Sequence, residues 1–224
     1  SAVVIGGGLL GLEAANGLLA RGMDVGVVHL APWLMERQLD ATAAGLLQTL
    51  LEERGLRFFL GAETQELIAD HGSSGGRVRG VRLRDGSEIP AELVVMAIGI
   101  RPNDALAREA GLHCNRGIVV NDTLMTYDPR IYAVGECASH RGVAYGLVAP
   151  LFEQAKVCAN HLAEFAFSRY CGSSISTKLK VMGVELAVMG TRERSGADEE
   201  IAYEDASRGI YKKLILRERR LVGS

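Results

Sequence analysis

Ala2-Val3-Val4-Ile5-Gly6-Gly7-Gly8-Leu9-Leu10-Gly11-Leu12-Glu13 is the stretch on which the fold turns. Four apolar residues in a row, as a strand buried on both faces requires, run straight into Gly6-x-Gly8-x-x-Gly11. Downstream, Leu12, Ala15, Leu18 and Leu19 fall near helical spacing, and Gly22 stands where a helix would stop. Asp24 to Leu30 reads as a second buried strand, so the first 30 residues make a βαβ unit with a right-handed crossover and a parallel strand pair. In that setting the glycine spacing has a physical reading. Gly6 permits the tight turn, Gly8 lets the backbone approach a pyrophosphate without a Cβ, and Gly11 allows close packing of helix on strand. The N–H groups of Leu9 and Leu10 and the helix dipole would face the anion.

The end of the second strand, about twenty residues on, is where an acidic side chain would meet a free ribose 2′-hydroxyl. His29 stands there instead. A neutral imidazole can hydrogen-bond a hydroxyl, and a cationic one could sit beside a 2′-phosphate with Arg37 as a second contact. These residues leave the choice between NADH and NADPH open.

The alternation continues outward. Asp40 to Arg54 is amphipathic and Leu56 to Leu60 reads as a strand. Val78, Val81 and Leu83 then alternate among arginines, with turn signals at 71–76 and Asp85-Gly86, which predicts a small antiparallel meander. Leu93 to Ile98 is another buried strand, ending at Gly99 and the Arg101-Pro102-Asn103 breaker. Beyond it the pattern predicts a short helix over 103–110, strands over 118–120 and 131–134, a turn at Gly135, and a helix over 149–167 with Phe152, Ala155, Cys158, Ala159 and Leu162 on one face. Residues 171–174 read as a linker. Strand-like runs follow at Lys180–Val188 and Ile210–Leu216, and at 221–224.

Composition bounds the rest. With 224 residues, 48% of them hydrophobic, the chain can bury a sizeable core, which excludes disorder and fibrous folds. Twenty-five basic against 27 acidic residues give a net charge of -2, so no broad footprint for nucleic acid or an anionic membrane is present. No apolar run approaches the roughly 20 residues that span a bilayer. Cys114, Cys137, Cys158 and Cys171 form no CxxC pair, so neither a zinc site nor a dithiol motif is indicated, and they read as free thiols of a cytoplasmic protein. Cys137 reads as a small packing residue. The abrupt opening at Ser1 suggests a piece of a longer polypeptide.

Three motifs now carry a resemblance. Residues 2–13 are similar to the NAD(P)H motif of the two-dinucleotide flavoprotein reductases. Val94-Val95-Met96-Ala97-Ile98-Gly99-Ile100-Arg101-Pro102-Asn103 resembles their mid-chain motif. Thr126-Tyr127-Asp128-Pro129-Arg130-Ile131-Tyr132-Ala133-Val134-Gly135-Glu136-Cys137-Ala138 resembles their second FAD motif, which more commonly ends Gly-Asp. Within that superfamily, residues 29–40, Gly135 to Ala138 and 146–155 resemble the large subunit of the assimilatory NAD(P)H-dependent nitrite reductases.

The resemblance implies a Rossmann-like α/β NAD(P)-binding domain with an antiparallel meander over 1–103, the C-terminal half of a FAD-binding domain over 104–170, and the start of a further α+β domain over 174–224. It implies hydride transfer from NAD(P)H to FAD, then single electrons passed through a 4Fe-4S cluster and sirohaem to nitrite, giving ammonia. Glu13 would lie near the nicotinamide as the catalytic-site acid, with Gly99 near the bound nucleotide. Glu136 at the Gly135 turn would bond the FAD ribitol, and Val148 and Ala149 would open a helix whose dipole points at the flavin. The family's first FAD motif and its cysteine-ligated cluster region have no counterpart in these residues, so the cluster and sirohaem would belong to a parent polypeptide. Expected partners are the nicotinamide dinucleotide, the remainder of that polypeptide and a second copy as a homodimer, without nucleic acid or membrane. Two other readings stay open: a ferredoxin- or rubredoxin-type reductase, and a nucleotide-binding module without catalysis.

Overall fold

The computed structural model describes residues 1–70, 76–164, 168–173, 176–181 and 183–224. The chain divides into two compact units, Ser1–Gly99 with Ser176–Ser224, and Ile100–Ile175.

In the first unit, β1 (Ala2–Ile5) leads through the glycine turn to α1 (Leu9–Leu19), then β2 (Val25–His29), α2 (Ala41–Glu52) and β3 (Arg57–Leu60). β4 (Thr64–Ala69), β5 (Val78–Leu83) and β6 (Glu88–Pro90) form the expected antiparallel meander, and β7 (Leu93–Met96) returns to the first sheet. That sheet is parallel, in the order β3-β2-β1-β7, with Val4 opposite both Val27 and Val95. β1 and β2 are buried along their whole length because both faces are covered. Ala2 and Val4 point into a core with Leu12 and Ala15 of α1 and Leu47 and Leu51 of α2, whereas Val3 and Ile5 meet Val81, Leu83 and Ile89 of the meander. α1 begins three residues before the apolar period suggested, because Leu9 and Leu10 enter the helix directly from the turn.

The second unit holds α3 (Ala105–Glu109), the parallel pair β8 (Ile118–Val120) and β9 (Ala138–His140), and α4 (Val148–Leu162). Val120, Leu124, Ala133, Ala138, Tyr145, Cys158 and Tyr170 form its core. The strand expected over 131–134 is a single bridge, Tyr132 opposite Met125, because Ala133 N–H is taken by the Leu124 carbonyl and the chain pairs as a strand only from Ala138. The buried face of α4 is Pro150, Gln154 and Cys158, with Phe152 73% exposed. Gln154 turns that face inward by accepting the Gly135 N–H with its side chain.

Residues of the first unit resume with β10 (Ser176–Val181), β11 (Val184–Met189), β12 (Glu199–Asp205), β13 (Ile210–Arg217) and β14 (Arg220–Gly223). The single run expected over 180–188 is a hairpin, since Gly183 adopts φ 73° and reverses the chain. Leu179 is wholly buried in the α1–α2 core. Most of the turn expected at 71–76, the end of the helix expected at Phe167, Ser174 of the linker and Met182 lie outside the described residues.

Candidate functional site

The glycine turn is built by backbone approach. Gly6 has φ 115°, and a Cβ there would lie 2.2 Å from the Ala97 carbonyl oxygen of the segment leaving β7. A Cβ on Gly11 would stand 1.8 Å from the Gly6 carbonyl oxygen, so α1 packs on the turn only because residue 11 has no side chain. Gly8 differs. It sits at φ −84°, ψ −175° as the N-cap of α1, and a Cβ there would meet nothing within 4 Å. No side chain caps the helix and none of its first-turn residues is acidic. The open space therefore lies where the first N–H groups of α1 point, the arrangement that accepts an anionic group. Leu9 is half-buried and Leu10 is 63% exposed.

Gly7 ties this turn to the end of β2. Its N–H donates to His29 Nδ1 at 3.1 Å, and its carbonyl accepts from Met35 N–H at 3.0 Å. With Nδ1 accepting, the imidazole proton is assigned to Nε2, which donates to Glu36 Oε2 at 3.0 Å. Both nitrogens of the buried His29 are thus engaged within the protein. Met35 is wholly buried at φ 51°, a left-handed conformation for a non-glycine residue. The Glu36 carbonyl accepts from Arg192. Arg37 is 83% exposed with its Nε 3.8 Å from Glu36 Oε1.

Glu13 lies in the second turn of α1, exposed and without a hydrogen bond or ion pair among the described residues. Gly99 follows β7 at φ 96°, with open space where a Cβ would be. The fold gathers Gly6, Gly8, Gly11 and His29 at the ends of β1 and β2, and β7 runs beside β1 so that Ala97 closes on the same turn.

The other candidate residues belong to the second unit. Gly135 has φ 97° with nothing within 4 Å of a Cβ, and its N–H is held by Gln154 Oε1 at 3.0 Å. Glu136 is exposed and has no hydrogen bond or ion pair among the described residues. Val148 and Ala149 are the exposed first two residues of α4, whose N-cap Leu147 provides no side-chain bond. Cys137 is half-buried, its Sγ 3.5 Å from the Val134 carbonyl oxygen. Sequence reasoning passed over Glu36, Met35 and Gln154. A glutamine on the apolar side of α4 was the available signal for Gln154. Nothing in the spacing marked Glu36, whose place depends on the loop folding back onto Gly7.

A parallel α/β sheet with a glycine turn feeding an uncapped helix, followed by a second unit with its own open glycine turn and helix, defines a nucleotide-binding module of the flavoprotein-reductase type. The chain belongs to the pyridine nucleotide-disulphide oxidoreductase family, whose profile matches residues 1–161. Residues 176–224 match the rubredoxin NAD+ reductase C-terminal domain. The chain is 56% identical over 223 residues to "Nitrite reductase [NAD(P)H]" of Bacillus subtilis, covering 100% of this chain and 27% of that protein. It is 46% identical over 222 residues to the "Assimilatory nitrate reductase electron transfer subunit" of the same organism, covering 99% and 28%. It is similar to the ferredoxin reductase of the CYP199A2 system from Rhodopseudomonas palustris at TM-score 0.81 and 30% identity, covering 99% of this chain and 55% of that one. The chain thus spans about a quarter of the length of the two curated relatives.

Proposed function

We propose that these residues are the electron-entry part of an NAD(P)H-dependent nitrite reductase: they bind a reduced nicotinamide dinucleotide and help to hold the FAD that accepts its hydride. The observation that carries this reading is Gly8, whose open Cβ position faces an uncapped helix N-terminus between two glycines that only close backbone packing explains. Gly6, Gly8, Leu9, Leu10 and Gly11 cradle the pyrophosphate, His29 holds the turn, and Arg37 stands at the ribose end. Glu13 and Gly99 lie toward the nicotinamide.

The residues of the second unit fit a flavin. Gly135 leaves room for close approach, Glu136 has an uncommitted carboxylate, and the first N–H groups of α4 at Val148 and Ala149 have no side-chain cap. Bound FAD would supply a two-electron acceptor that returns electrons singly. Gln154 fixes the Gly135 peptide so that this turn keeps its shape, and the uncapped N-terminus of α4 would offer its positive dipole to electron-rich atoms of a bound flavin. The 4Fe-4S cluster and sirohaem that the resemblance implies are assigned to a parent polypeptide, since the chain covers only 27% and 28% of the two curated relatives. The domain limits 1–103, 104–170 and 174–224 and a cytoplasmic homodimer belong to the same reading.

A second reading, a rubredoxin-type reductase that hands electrons to a separate protein, is favoured by the match of residues 176–224. Assay of the full-length polypeptide separates the two. Nitrite-dependent NAD(P)H oxidation together with bound sirohaem supports the first reading. NAD(P)H oxidation that depends on an added iron-sulfur carrier, with no sirohaem, overturns it in favour of the second.

A further inference from the structure

We propose that Glu36, oriented by His29, is the ribose-selecting acid of this site and makes it prefer a dinucleotide with a free 2′-hydroxyl, NADH, over one with a 2′-phosphate. The inference rests on the dinucleotide reading of the glycine turn. In a strand-turn-helix site of this kind, discrimination falls to an acidic side chain at the end of the second strand. Here that strand ends in a histidine with no free nitrogen: Nδ1 accepts from Gly7 N–H at 3.1 Å and Nε2 donates to Glu36 at 3.0 Å. Direct bonding of His29 to a ribose would break one of these bonds. The imidazole instead acts as a spacer, one end fixed to the phosphate turn and the other presenting a carboxylate.

Three further contacts hold the loop that carries this carboxylate. Met35, the residue before it, donates its N–H to the Gly7 carbonyl at 3.0 Å from a wholly buried, left-handed position. Arg192 donates to the Glu36 carbonyl. Leu34 packs so closely that a Cβ on Gly7 would lie 2.8 Å from its Cδ2. The Glu36 side chain is 34% exposed: Oε2 is used by His29, and Oε1 has Arg37 Nε at 3.8 Å. A partly exposed anionic oxygen accepts from a ribose hydroxyl, and it repels a phosphate dianion brought to the same place. Arg37 does not cancel that repulsion, since its side chain is 83% exposed and already beside Glu36.

The test is equilibrium titration of NADH and NADPH by fluorescence on the 224-residue chain, the Glu36→Gln variant and the His29→Leu variant, with circular dichroism melts as a folding control. The unchanged chain should bind NADH at least about tenfold more tightly than NADPH. Glu36→Gln keeps a hydrogen-bonding group and removes the charge. It should shrink that ratio by about tenfold, mainly by tightening NADPH. His29→Leu, which frees Glu36 from its spacer, should shrink the ratio too, an outcome that a purely structural histidine would not produce. Equal ratios in the native chain and Glu36→Gln, or a native preference for NADPH, overturn the inference and leave the dinucleotide site standing. Failure of the native chain to bind either nucleotide overturns both.

Discussion

Gly8 and Gly11, three residues apart, serve opposite ends, and substitution separates them. Gly11 lacks room, since a Cβ would overlap the Gly6 carbonyl at 1.8 Å. Gly11→Ala should therefore push α1 off the turn, costing about 2–3 kcal/mol in urea unfolding and weakening NADH binding with it. Gly8 has room, and its φ of −84° suits any residue. Gly8→Val should leave stability within about 1 kcal/mol of the parent, yet abolish NADH binding, because the branched side chain fills the space a pyrophosphate needs. Unchanged NADH affinity in a folded Gly8→Val chain sinks the phosphate-cradle assignment. The backbone roles of Gly6 and Gly11 were legible in the sequence because they depend only on geometry at fixed spacing within one strand-turn-helix. Glu36 was not legible. Its carboxylate reaches His29 only after seven residues of loop have turned back, pinned by a left-handed Met35 that no spacing rule anticipates.

The same contrast holds for whole elements. The βαβα run and the meander could be read because burial on both faces leaves unbroken apolar strands, and one-sided burial leaves alternation. The later hairpins were harder to see. β12 is Glu199-Glu200-Ile201-Ala202-Tyr203-Glu204-Asp205, almost wholly exposed, so no buried side imposes a period. The β10–β11 hairpin reverses near Gly183 without an Asn-Gly or Asp-Gly pair to announce it. What ties β13 to α2 is also nonlocal. Asp40 caps α2 by accepting Ala43 N–H at 2.9 Å with one oxygen, and with the other accepts from Tyr211 at 3.0 Å and Lys213 at 2.5 Å. Burial raises its pKa, but these donors outweigh burial and hold the carboxyl below the usual range, while burial and the Asp40 charge push Tyr211 up to about 12. Asp40→Ala removes the cap and leaves a largely buried ammonium without its partner. It should cost about 2–3 kcal/mol, with Asp40→Asn near half of that because an amide still caps. Equal urea midpoints for all three chains would show that α2 and β13 are held together by apolar packing alone.

Across the molecule, the depressed carboxylates set how it meets acid. The Arg141 guanidinium and then His140 bring Asp122 from 3.8 to about 2, and Arg217 with the Ser195 N–H does the same for Asp198. Groups depressed in the folded state stabilise fully above their unfolded value, and that contribution is lost as pH falls through the folded value. Stability should thus be nearly level from about pH 7 to 5 and fall between about pH 4 and 2, with Asp198→Asn showing a shallower fall in thermal midpoint. A midpoint that declines steadily from pH 7 downward would show that these carboxylates do not set the acid sensitivity. The chemistry of the whole is a question of which half-sites these 224 residues contain. They hold one Gly-x-Gly-x-x-Gly turn, spent on the nicotinamide dinucleotide in this reading, and a second open turn at Gly135 that would meet a flavin through its ribitol and ring. A dinucleotide takes much of its anchoring from pyrophosphate on a helix N-terminus preceded by such glycines, and no second turn of that spacing occurs in residues 1–224. After incubation with FAD and desalting, the chain should therefore be colourless in the visible range yet still bind NADH. Retained flavin bands that NADH bleaches would show instead that the Gly135 turn and α4 anchor FAD by themselves, and would move hydride transfer into this chain.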